Sequence, residues 1–177
     1  SNVYQEYLHA YLISALDSHP KWKGGKDADK IARVMVDLYL KAKDRFLVDD
    51  RSHYIFTPRD VTAWVLNLFN YDVEKVELPD AVGYEADRIF GDRLATEAER
   101  QVFDRLVDET LKGAIGYKST PESPYFVSAV AGKQDGKKDD KAAKKLGKKL
   151  NPVSPKDYAK MLDKAITVTR RVRAGRV

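Results

Sequence analysis

Apolar residues recur along most of this chain at spacings of three and four, the repeat that places side chains on one face of an α-helix. Val3, Tyr4, Tyr7, Leu8, Tyr11, Leu12 and Leu16 form one such stripe, and Ile31, Val34, Met35, Leu38 and Ala42 form a second. A third helix is predicted from Asp60 to Phe69, with Val61, Trp64, Val65 and Leu68 on one side. A fourth runs from Pro79 to Leu94 through Val82, Ala86, Ile89 and Phe90. A fifth spans Thr96 to Leu111 with Val102, Phe103, Leu106, Val107 and Thr110, opened by Thr96 and Glu99 as a capping box. Helical spacing alone accounts for the aromatic and methionine positions, so they are assigned to the core rather than to a ligand site. Gly113 and Gly116 are expected to end the fifth helix, and Pro121 and Pro124 to keep the strand-like Tyr125-Phe126-Val127 out of one. After a linker, Ser154-Pro155-Lys156-Asp157 is a capped start, and Tyr158, Met161, Leu162, Ala165 and Ile166 continue a sixth helix. The basic residues from Arg170 onward are expected to fray, and no internal repeat is present. The expectation is an all-α fold: five helices in residues 1–116, a linker over 117–151 with a flexible lysine-rich loop at 132–149, and a C-terminal helix over 152–177.

With 177 residues, 43% of them hydrophobic, the chain is long enough for a real core. It has no cysteine, which excludes disulfides, thiolate metal sites and a cysteine nucleophile. No apolar run approaches the roughly 20 residues that span a bilayer, so a soluble domain is expected, with no membrane partner. The chain opens abruptly in a helical pattern, as a piece of a longer protein would. The net charge of +5 is local: Lys133 to Lys149 holds eight lysines and three aspartates, an excess equal to that of the whole chain. Such a glycine-punctuated run lacks the apolar surface to offset ordering, and it lacks the interleaved aromatics on which bases stack. A solvated loop is therefore expected there, and nucleic acid is not expected as a partner.

Chemistry is sparse. A phosphate-binding loop needs Gly-x-x-x-x-Gly-Lys-(Ser/Thr), and the three Gly-Lys pairs at 25–26, 136–137 and 147–148 all lack both the upstream glycine and the hydroxyl. His9, His19 and His53 have no metal-ligand spacing. Neither a catalytic set nor a metal site is predicted. One segment stands out: in Thr57-Pro58-Arg59-Asp60, Thr57 is suited to cap a helix, Pro58 to its first position, and Asp60 to reach back as a short capping-box acid. Arg59 then leaves a fixed point beside free backbone N–H groups and the positive end of the helix dipole, an arrangement that favours an anion. The pattern also fits an ordinary helix start with a solvated arginine. His53 is read as capping or packing at the preceding turn.

His53-Tyr54-Ile55-Phe56-Thr57-Pro58-Arg59-Asp60 with Trp64-Val65 resembles the His-Tyr-x-aromatic-(Ser/Thr)-Pro-Arg-acid segment in the helical small subdomain, or lid, of the third AAA+ module of dynein heavy chains. Phe46 to Tyr54 and Trp64 to Asp72 are most similar to the intraflagellar-transport branch of that family, cytoplasmic dynein 2. Tyr84 to Leu94 resembles the family's next helix, and Leu146-Gly147-Lys148-Lys149-Leu150-Asn151 the approach to the fourth module. The resemblance implies a lid packed on nucleotide-binding large subdomains of the third and fourth modules, with Arg59 at the sensor 2 position, supported by Thr57, Pro58 and Asp60. Arg88, Asp92 and Arg93 match a family motif and are implied as inter-subdomain contacts; Arg88 and Asp92 also stand at i, i+4 for an intrahelical ion pair. The parent protein is implied to be an ATP-dependent microtubule motor that binds ATP or ADP with Mg2+, dynein subunits and intraflagellar-transport particles, in the cytoplasm, cytoskeleton and cilium or flagellum. The fragment itself is implied to hold no cofactor and to hydrolyse nothing. Two other readings stand beside it: a self-contained helical interaction scaffold, and a basic nucleic-acid-binding module.

Overall fold

The computed structural model of the chain describes residues 3–18, 27–117, 120, 123–127 and 149–174. Ser1-Asn2, His19, the three Gly-Lys pairs, Pro121, positions 132–148 of the lysine-rich run and positions 175–177 lie outside them. The chain divides into two compact units, Ser1–Ser119 and Thr120–Val177.

The first unit holds α1 (Val3–Ser18), α2 (Ala28–Arg45), α3 (Pro58–Asn67), α4 (Leu78–Ile89) and α5 (Glu97–Ile115), with 3-10 turns at Leu68–Asn70 and Gly91–Arg93. α2 packs on α1 and α5, and α3 on α1 and α4. α2 and α5 start where a side chain satisfies a free first-turn amide. Asp27 accepts from the Lys30 N–H at 3.0 Å. Thr96 Oγ1 accepts from the Glu99 N–H while Glu99 Oε2 accepts from the Thr96 N–H, completing the expected capping box. Leu12, Leu16, Met35, Leu38, Trp64, Val65 and Phe103 are buried as the stripes predict. Phe90 meets Phe56 and Trp64 edge-on at 5.6 and 5.5 Å, and Phe46 meets Tyr54 at 6.0 Å, so the long turn after α2 is sunk into the same aromatic cluster. Pairs of this geometry contribute about 0.5–1.5 kcal/mol each beyond area burial.

The second unit adds two short antiparallel strands, β1 (Tyr125–Val127) and β2 (Asn151–Val153), in the register Phe126 to Pro152. The strand-like character of 125–127 is realised, and β2 begins inside the segment read as linker. α6 (Pro155–Ala174) follows, capped as expected by Ser154 Oγ, which accepts from the Asp157 N–H at 3.2 Å and donates to Asp157 Oδ2 at 2.8 Å. Tyr125 stacks on Tyr158 at 4.8 Å. No described helix is long and apolar enough to cross a membrane. The fold is a helical subdomain with this small two-stranded addition.

Three expectations are corrected. The stripe on α1 is wider than the face it buries: Leu8, Leu12 and Leu16 are inside, but Val3 is exposed and Tyr7 is 73% exposed. The fourth helix ends at Ile89 rather than Leu94 and gives way to the 3-10 turn at Gly91–Arg93, where glycine is a poor helix former and the Asp87 carboxylate lies in the space a side chain would fill. The fifth helix runs through Gly113 to Ile115 and ends at Gly116, whose φ of 77° is the left-handed stop that glycine tolerates.

Gly83 on α4 is covered by the Tyr117 ring, which occupies the space of a Cβ. Gly83→Ala should therefore cost about 1–3 kcal/mol, the size of a forced core displacement. Thermal unfolding should show a smaller cost for the same change in a Tyr117→Ala background; an equal cost in both would mean that ring contact is not its cause.

Candidate functional site

The N-terminus of α3 is built by the preceding turn. Tyr54 and Phe56 point into the core, and the Tyr54 hydroxyl accepts from the Ala95 N–H at 2.9 Å. His53, set edge-on to Tyr54, places Nε2 3.2 Å from the Arg93 carbonyl, so it packs at the turn and donates across it. Thr57 is extended, and Asp60 Oδ2 accepts from both the Thr57 N–H at 2.7 Å and the Thr57 hydroxyl at 3.0 Å. The acidic half of the capping box is thus in place. Asp60 Oδ1 accepts from Arg93 Nη2, while Arg93 Nη1 donates to the Ile55 carbonyl at 3.2 Å and its guanidinium lies 5.8 Å above the Phe56 ring.

Arg59 stands apart from this network. It is exposed and makes no hydrogen bond or ion pair among the described residues. Pro58 has no N–H, and the Asp60 N–H donates to the Thr57 carbonyl at 3.0 Å. The sequence suggested free first-turn amides; among the described residues the Arg59 N–H is one that has no hydrogen-bond partner. A guanidinium and a backbone N–H on one residue are what an anionic oxygen can use at a helix start. Beside Pro58 lies a depression of about 220 Å³ lined by Tyr7, Leu8, Tyr11 and Thr62.

The other candidates are engaged elsewhere. Arg88 does not pair with Asp92, because the helix ends between them. Its Nη1 donates to Glu85 Oε1 at 2.8 Å, whereas Asp92 lies 3.6 Å from Arg100. Glu85 is fully buried and also accepts from the Tyr71 hydroxyl at 2.7 Å and Asn67 Nδ2 at 2.9 Å. This cluster escaped the sequence reading. Its signal was a carboxylate at position 85, three residues after Val82 and directly before Ala86, on the apolar face of the fourth helix. Among the described residues no group of His, Asp and Glu is arranged to hold a metal.

Residues 11–100 match the family described as dynein heavy chain, ATPase lid domain. The chain belongs to that family. Among curated relatives, it is 37% identical over 116 residues, 62% of its length, to cytoplasmic dynein 2 heavy chain 1 of Tripneustes gratilla. Identity is 35% over 121 residues to that of Homo sapiens, covering 64% of the chain, and 28% over 174 residues to that of Caenorhabditis elegans, covering 94%. The chain spans only about 3% of the length of the first two relatives and 4% of the third.

Two sets of measurements check this geometry. Arg88→Ala leaves the buried Glu85 carboxylate without its cation and should destabilise by about 1–3 kcal/mol, the cost of stripping a partner from a buried group. Asp92→Ala, at 61% exposure, should stay within about 0.5 kcal/mol. Equal effects in denaturant unfolding would refute the pairing. The second concerns pH. Burial raises the Asp87 carboxyl, only partly offset by Arg100; burial likewise raises Asp80 and Asp104. At Asp60 burial acts upward too, but hydrogen bonds from Arg93 and Thr57 outweigh it and the net shift is downward. Glu99 is lowered to about 2, chiefly by the Thr96 hydroxyl. Raised carboxyls destabilise the folded state when ionised, so stability should rise as pH falls from neutral through their folded values. Lowered ones contribute above the ordinary values of 3.8 for Asp60 and 4.5 for Glu99, and that contribution is lost as pH falls toward 2. Melting temperature should peak on the acid side of neutrality. Asp87→Asn should flatten the rise and Asp60→Asn the fall; unchanged profiles would contradict these assignments.

Proposed function

We propose that this chain is the lid of the nucleotide site in the third AAA+ module of a dynein heavy chain of the cytoplasmic dynein 2 type, with Arg59 at the sensor 2 position facing the phosphates. The observation that carries the reading is Arg59 itself: exposed and without a partner among the described residues, on a helix start where Thr57, Asp60 and Arg93 are bonded to one another. The family match and the similarity to dynein 2 heavy chains support the setting.

In this reading, residues 1–116 form the lid, 117–151 the linker and 152–177 the helix toward the fourth module. ATP or ADP with Mg2+ is held by the large subdomain, and the lid supplies Arg59. An arginine that touches phosphate in one nucleotide state and not in another biases the lid between two orientations, because differential contact is what shifts such an equilibrium. The lid thereby relays the state of a regulatory site to its neighbours in the ring, in a motor that moves toward microtubule minus ends in retrograde intraflagellar transport. Its partners are the adjacent large subdomains; those of the whole motor are microtubules, dynein subunits and transport particles, in the cytoplasm, cytoskeleton and cilium. In the same reading Arg88 and Asp92 also contact neighbouring subdomains, which their exposure of 49% and 61% supports. The isolated chain is not an ATPase.

Arg59→Ala should change this chain's stability by no more than about 0.5 kcal/mol, since an exposed first-turn arginine packs against little and its charge slightly opposes the dipole. In the heavy chain the same change should weaken the third module's response to nucleotide by about 1.5–3 kcal/mol, typical of a hydrogen bond to a charged group. Microtubule release measured against nucleotide reads the second effect. Intact coupling together with a destabilised lid would make Arg59 a structural residue and end the sensor reading.

A further inference from the structure

The α3 start contains an electrostatic conflict. Its cap needs the Asp60 carboxylate, which takes up the Thr57 N–H and hydroxyl. Asp60 also adjoins Arg59, so an uncompensated carboxylate there would cancel the cation and repel an incoming phosphate. The group that meets it comes from 33 residues further along, in the Gly91–Arg93 turn. Arg93 binds the free oxygen of Asp60 with one guanidinium nitrogen and the Ile55 carbonyl with another, over the face of Phe56. Its own backbone carbonyl accepts from His53. The side chain is 36% exposed and that of Asp60 12%, so their interaction is only partly screened by water.

We infer that Arg93 is a positioning and charge-compensating residue for the anion site at the start of α3. By occupying Asp60 it lets the cap keep its carboxylate while Arg59 meets phosphate as an uncompensated cation. The inference rests on Arg59 being phosphate-facing. It gives Arg93 a role inside the lid, in place of the inter-subdomain contact that the family motif implied. The residue type matters: a guanidinium fork reaches the carboxylate and the carbonyl together, whereas a lysine ammonium brings the charge without the fixed fork.

The test is titration of the 177-residue chain with inorganic pyrophosphate at constant ionic strength, followed through the backbone amide signals of Thr57 and of residues 59–62. Arg59→Ala should abolish the saturable shifts. Arg93→Gln should weaken binding roughly fivefold, the effect of one nearby charge at a helix terminus. Adding Asp60→Asn to Arg93→Gln restores the local charge balance and should recover most of that loss, which a merely structural role would not produce. Arg93→Lys keeps the charge and should bind more tightly than Arg93→Gln even where both lower the melting temperature. Binding by Arg59→Ala equal to that of the parent chain would overturn the reading of Arg59 and this inference with it. Loss in Arg59→Ala but none in Arg93→Gln, or no recovery in the double variant, would leave the Arg59 reading standing and overturn the role of Arg93. If Arg93→Gln disrupts the turn, the lysine variant decides: affinity that falls with stability rather than following charge overturns the inference.

Discussion

The carboxylate of Asp60 joins three pieces of chain: the turn that ends at Thr57, the helix that begins at Pro58, and the turn at Arg93. Residues 46–57 have no regular ladder to absorb their backbone polar groups, yet they carry Phe46, Tyr54 and Phe56 into the core. Aromatic burial decides where this turn lies but says little about its rotation. Directional bonds decide that: Arg93 to the Ile55 carbonyl, Ala95 to the Tyr54 hydroxyl, and Thr57 to Asp60. Because buried polar groups left unpaired are costly, these few bonds select one orientation of the turn and so one direction for Arg59.

A second carboxylate secures the other end of the same helix. Glu85 reaches from α4 to Asn67, the last residue of α3, and to Tyr71 just beyond it. One turn earlier in α3 the Trp64 indole donates to the Val82 carbonyl at 3.0 Å. The C-terminal half of α3 is therefore tied to α4 by hydrogen bonds as well as by packing.

Much of this was legible in the sequence, and what was not has a common physical cause. The Thr57, Thr96 and Ser154 caps are local, formed within three residues, and could be read directly. The core faces of α2 and α3 followed from spacing because each helix is covered on the side its stripe defines. The α1 stripe failed at Val3 and Tyr7, since periodicity reports an apolar face but not how much of it a neighbour covers. Arg93 with Asp60 and Glu85 with Tyr71 are separated by 33 and 14 residues, so no local rule pairs them. Arg88 and Asp92 stood at the right spacing for an ion pair, but that spacing presumes helix, and the helix ends at Ile89. The family resemblance correctly placed the chain among dynein lids, while the roles of individual arginines needed their partners.

The three arginines differ in what they have left to give. Arg88 and Arg93 already hold buried or half-buried carboxylates, and any new contact they made would have to compensate for the loss of those bonds. Arg59 has no such commitment among the described residues, and its backbone is fixed by the cap. The side-chain freedom of one arginine, at most about 2 kcal/mol, opposes its first contact with an anion, and the loss of water from the guanidinium adds to it. A charge-assisted hydrogen bond contributes about as much or more, so the balance is close to even. In the sensor role proposed for Arg59, a near-even balance suits a residue that lets go when the phosphate leaves: a contact that was strong by default would hold the lid in one orientation whatever the nucleotide.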